Sequence, residues 1–288
     1  MADNVKGGLR TALYVLVAML APAGAARAQT WQVGTAPTFL TGSYGAETHT
    51  DVFYAPITAK RIFKDGDFTA VVPYLCVTGT TGVTIVGDSA IRTGSTGTIG
   101  TRDAAATRPA RGSTTTPTAA PAATVQRQCG LGDVVLRGRY YLLDERTWFP
   151  TIAVRAHIKA PTADADRGLG TGRPDEGIGL EVTRSIGGGL SAMADGGYTV
   201  IGRPEGVEFN RPWWYDVGLG QDLARGAVNV SVFLEEYQAI VPGLPDARDV
   251  LAALTLKGRG WQAQVAAQFG ASEGAAERGL TVGITRRF

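Results

Sequence analysis

Five residues on two neighbouring segments could line a polar path: Arg137, Arg139, Arg155, His157 and Lys159. Within each segment they are two residues apart, so in extended chain they share one face. Glu181, Asp195, Asp216 and Glu235 occupy matching positions further along, with Asn229, Tyr237, Gln262, Gln264, Gln268 and Arg287. The chemistry these residues suit is selection of a passing solute by charge. A strip made of Arg137, Arg139, Arg155 and Lys159 favours anions such as carboxylates. In the alternative reading, the two signs pair across a narrow lumen and fill it.

Catalytic chemistry finds less support. The two histidines, His49 and His157, have no metal-ligand spacing such as H-x-x-x-H. An outer-membrane phospholipase needs a His followed two residues later by Ser, whereas His157 is followed by Ile158 and Lys159. Gly168 to Gly172 and Gly187 to Gly189 lack the Lys-Ser/Thr of a phosphate loop and read as turns. The expectation is a protein that is not an enzyme, with no cofactor and no metal site.

The elements that must carry these faces are strands. Ile152, Val154, Ala156 and Ile158 alternate with Thr151, Arg155, His157 and Lys159; Val228, Val230, Val232 and Leu234 with Asn229, Ser231, Glu235 and Tyr237; Leu280, Val282 and Ile284 with Thr281, Thr285 and Arg287. Twelve such segments fall near 30–43, 50–63, 67–79, 131–143, 148–161, 177–186, 190–202, 212–222, 227–239, 249–257, 260–270 and 279–288. Each is about the 9–11 residues of a tilted membrane strand, and the number is even. Their connections alternate between tight turns, such as Lys64-Asp65-Gly66 and Gly258-Arg259, and longer loops, such as 162–176 and 203–211. Tight turns at one end and long loops at the other are the pattern of an outer-membrane barrel. In hydrocarbon every backbone polar group must be paired, which selects a closed all-β antiparallel barrel of about twelve strands over an open sheet. A soluble two-sheet sandwich would also alternate, but has no reason to sort its loops by end. Trp31, Trp148, Phe149, Trp213, Trp214 and Trp261 lie near strand ends and read as interfacial girdles.

Composition agrees. Of 288 residues, 44% are hydrophobic and only 19% charged, which opposes a disordered chain. A net charge of +2 opposes a nucleic-acid partner. Lys6 and Arg10, the apolar run Thr11 to Ala21 and Ala26-Arg27-Ala28 read as a signal peptide, residues 1–28, cut after Ala28. The barrel then spans 29–288 with equal numbers of basic and acidic residues. Export places the chain in an oxidising compartment, where Cys76 and Cys129, ending one long-loop strand and beginning the next, are expected to form a disulfide. Between them 80–129 reads as a long extracellular loop, partly disordered and rich in Thr, Ala, Gly and Pro; Val83 to Val86 within it could fold inward as a plug.

Family wording appears at several points. Gly130-Leu131-Gly132-Asp133, the Tyr140-Tyr141 strand, Ile158 to Asp164, Gly168 to Gly172, Ala55 to Lys60 and Val72 to Leu75 together resemble the outer-membrane transporter family named after the meta-cleavage pathway of phenol degradation. That resemblance implies a barrel distantly similar to fatty-acid and aromatic-hydrocarbon channels. It also implies passive uptake of small, poorly soluble compounds, here aromatic or hydrophobic acids. Phe288 resembles the terminal aromatic of the outer-membrane assembly signal, which implies the barrel assembly machinery and outer-membrane lipid as partners beside the solute; Arg286 departs from that signal. A structural or adhesive barrel acting through its loops is the alternative, with 80–130 and 162–176 as its contact surface.

Overall fold

A computed structural model describes residues 30–44, 49–79, 83–86, 89–92, 125–203 and 208–288. The expected signal peptide 1–28, its cleavage site and the middle of the 80–129 loop lie outside them. The barrel strands are β1 (Thr30–Thr35), β2 (Thr38–Gly42), β3 (Thr50–Ile62) and β4 (Gly66–Gly79), then, beyond the β5 (Val83–Val86) and β6 (Ser89–Arg92) hairpin, β7 (Gln126–Leu131), β8 (Val134–Leu143) and β9 (Thr151–Ala160). The wall continues with β10 (Asp175–Gly187), β11 (Leu190–Ile201), β12 (Trp213–Leu223), β13 (Val228–Tyr237), β14 (Ala247–Gly258), β15 (Trp261–Gly270) and β16 (Arg278–Arg287).

Two of the wall's strands are interrupted. β1 and β2 both pair with β3 and β16 in one unbroken register. The gap falls at Ala36-Pro37, where Pro37 has no N–H to give the ladder; its carbonyl still accepts from Val282 N at 3.0 Å. β7 and β8 both pair with β4, but Tyr74 faces Leu131 whereas Val71 faces Val135, a one-residue shift across Gly132-Asp133. That bulge turns β7 over relative to β8. Counting each interrupted strand once gives twelve antiparallel strands, and β1 pairing with β16 closes the ring.

The faces follow the alternation. Ile158, Leu180, Val232, Val265, Val282 and Ile284 are all exposed on the outside, while their neighbours in sequence face the lumen. Burying such a band in lipid is what a membrane barrel requires. The short connections 63–65, 144–150, 188–189, 224–227 and 259–260 lie at one end, with Gly187, Gly188 and Gly189 all at positive φ in the tightest of them. Trp148, Phe149, Trp261 and Phe288 are exposed at this end, and Phe288 N donates to Trp31 O at 2.9 Å. At the long-loop end the Trp213 and Tyr215 rings stack outside the wall, 5.7 Å between centroids. Tyr215 donates to Glu236 at 2.7 Å, and Arg248 Nε donates to the same carboxylate at 2.9 Å.

The Cys76 and Cys129 sulfurs are bonded. The two residues face each other within the β4–β7 ladder rather than at its end, because β7 begins at Gln126 and not at 131. By register with Phe53 and by the bulge, the bond lies on the outer face of the wall. Val83 to Val86, expected as part of a loop, forms a hairpin with Ser89–Arg92.

Candidate functional site: the charged lumen

Two cavities are stacked inside the barrel. The one at the long-loop end holds about 350 Å³, and the one toward the short turns about 470 Å³. Arg137, Arg155, His157 and Trp214 line both, and so stand at the boundary between them.

Register explains how that boundary is built. Arg155 on β9, Gly179 on β10, Gly197 on β11 and Trp214 on β12 form one row across four strands. The two glycines leave bare backbone between the long side chains. A Cβ at Gly197 would come 2.7 Å from Trp214 Cζ2, so only glycine lets the indole lie along the wall there. The Arg155 guanidinium reaches across and sits over the indole, 5.5 Å from its centroid. His157 lies against Gly177 in the same manner.

Ion pairs fill much of the cavity toward the short turns. Arg139 donates through Nε and Nη2 to Asp67 at 2.9 and 2.7 Å, and through Nη1 to both Glu181 oxygens at 3.0 and 3.1 Å. Lys60 lies 3.7 Å from Asp67. Arg155 pairs with Asp195 and lies 4.0 Å from Glu181.

At the long-loop end Lys159 is only 2% exposed. Its Nζ is 2.8 Å from Asp133 and 2.8 Å from Asp175, and it donates to Thr171 Oγ1 at 3.1 Å. The remaining carboxylate oxygens accept from Ala163 N at 2.9 Å and Gly202 N at 3.0 Å. This cluster ties the loop 161–174 to the wall, and Asp133 reaches it because the bulge turns that residue inward. Above it, Leu169 packs with Tyr44, Tyr54, Leu75 and Ala276, and opposite, Phe209 and Ile240 pack on Ile201. Loop side chains therefore narrow the mouth. Burial pushes the Tyr44 phenol well above its ordinary value, with Asp249 and Asp51 adding to the shift.

Every charged residue singled out in the sequence faces the lumen side of the wall, but the basic strip does not form as a continuous run. Arg139 and Arg155 are engaged by carboxylates, and Lys159 is enclosed in the loop cluster instead of lining an open path. Trp214 is corrected from girdle to lumen, since it shares a strand face with Asp216; only Trp213 of that pair points outward. Sequence reasoning missed Lys60, Asp67, Asp133, Asp175 and Asp249 as lumen charges. Their signal was parity, blurred on β3 and β4 because Val52, Val71 and Leu75 are apolar residues facing inward.

The closed ring, the apolar outer band and the aromatic ends define a bacterial outer-membrane β-barrel protein. The chain belongs to the family described as "Putative MetA-pathway of phenol degradation", whose model matches residues 63–284. No curated protein matches it. Among solved structures it is similar to the COG4313 outer membrane channel from Pseudomonas putida F1, with TM-score 0.59 and 11% identity over 93% of this chain and 99% of that one. It is also similar to the KdgM porin, with TM-score 0.50 and 8% identity over 89% of this chain and 99% of that one. At such identities the likeness is one of fold.

Proposed function

We propose that this chain is a passive outer-membrane channel for small solutes, aromatic or otherwise poorly soluble ones included. The observation that carries the reading is the pair of stacked cavities inside a closed barrel, meeting at Arg137, Arg155, His157 and Trp214. A barrel serving only as a scaffold has no need of such space, whereas a channel needs a narrow polar section between wider ones. The reading assigns the chain no enzymatic step. Its partners are the solute, outer-membrane lipid against the apolar band, and the barrel assembly machinery at the Phe288 strand. A preference for acidic solutes is not part of the proposal, because carboxylates engage Arg139, Arg155 and Lys159. Liposome swelling with the refolded barrel tests it. Neutral aromatic alcohols and small sugars should enter faster than into protein-free liposomes; neither swelling nor conductance steps in planar bilayers would end the channel reading.

A further inference from the structure

We infer that the cavity at the long-loop end binds an organic cation, a solute carrying an ammonium or guanidinium group, with Asp216, Glu235 and Asp249 as its counter-charges. This deepens the channel reading and rests on it for the route by which the solute arrives. The first observation is register. Glu181, Asp195, Asp216, Glu235 and Asp249 stand directly opposite one another across five successive strands, β10 to β14. Like charges facing each other across a ladder repel. Arg155 relieves the first two members of the row by pairing with them. Arg155 also attracts Asp216, from farther away, and Asp216, Glu235 and Asp249 all line one cavity, whose wall carries Arg137, Arg155, His157 and Lys159 as well.

The second observation is a buried acceptor left open. Asp249 is 9% exposed and lines this cavity; Gln268 bonds its side chain, while its Oδ1 accepts no hydrogen bond. A buried carboxylate oxygen without a donor is a position that a cationic donor would fill. The third is what surrounds the carboxylates. Trp214 and Tyr237 line the cavity with Leu251, so an aromatic face and an apolar wall stand ready for a cation's carbon skeleton. Trp214 already takes a guanidinium on its ring in Arg155, which shows how such a group is held there. A bare metal ion fits poorly, since among the described residues no three His, Cys, Asp or Glu side chains converge closely enough to hold one. A cavity of about 350 Å³ suits a small organic molecule instead.

The test uses three probes of one shape: benzylammonium, benzyl alcohol and benzoate, titrated calorimetrically into the refolded full-length barrel in detergent. Benzylammonium should bind at least tenfold more tightly than benzyl alcohol, and benzoate more weakly than either. Asp249→Asn, and Asp249→Asn with Glu235→Gln, should each remove most of that preference. Both relieve like-charge repulsion, and heat-modifiable migration on gels verifies that they fold. Equal binding of the three probes, no binding at all, or a preference untouched by the substitutions would each overturn the inference. Swelling assays separate it from the channel reading: solute flux without benzylammonium binding sinks the site alone, while binding without flux sinks the channel alone.

Discussion

Arg155 and Trp214 meet over bare backbone: the guanidinium stands 5.5 Å from the indole centroid although two whole strands, represented at that level only by Gly179 and Gly197, lie between their own. The pair spans part of the lumen without any side chain beneath it. With Arg137 and His157 it narrows the passage between the two cavities.

Trp214→Ala should widen that passage. Liposome swelling by solutes the size of a disaccharide is expected to rise several-fold. The lost packing costs less than the about 3–5 kcal/mol of a fully buried aromatic, because this ring borders open cavity. Unchanged swelling would show that the restriction lies elsewhere, in the loop-packed mouth.

Removing Arg139 exposes two carboxylates at once. With Arg139→Gln, Asp67 and Glu181 lose their closest cation, so the reversal potential in a potassium chloride gradient should move toward the cation value. Asp67→Asn should move it the other way. Identical shifts in both variants would contradict the assignment of these groups to the conducting lumen.

How far these features were legible before the fold was known differs by strand. On β9 and β15 the outer residues are uniformly apolar, and on β13 and β16 they are apolar except at the strand ends, Glu236, Arg278 and Arg286, so alternation alone separates lipid face from lumen and gives the strand number. Trp214 was legible by the same parity, two residues from Asp216, but adjacent tryptophans at a strand end also suit a girdle. What alternation cannot supply is register between strands far apart in sequence. Arg139 and Asp67 are 72 residues apart, and their pairing depends on which residue of β8 meets which of β4. That depends in turn on the bulge at Gly132-Asp133, a single extra residue with no periodic signal.

Lys159 should matter for stability more than for flux. Lys159→Met leaves Asp133 and Asp175 as facing buried carboxylates, and breaking a buried pair in this way costs about 3–5 kcal/mol. Urea unfolding followed by tryptophan emission reads the loss. Adding Asp133→Asn and Asp175→Asn should restore most of it, and protease cleavage at Arg167 or Arg173 should appear in the single variant and fade in the triple one.

Cys76→Ser with Cys129→Ser should lower stability by on the order of 4 kcal/mol in the chain-entropy view of a roughly 50-residue closure. Because the bond lies on the outer face, swelling rates of the folded barrel should not change. A change in rate would mean that the bond shapes the lumen after all.

The same bond has a mechanical consequence. It clamps the ladder three residues before the bulge that presents Asp133 to Lys159, so tension from the segment between the cysteines ends at the covalent link. Sequence changes between the two cysteines therefore stop at the link, and the ion pairs inside the wall keep their alignment.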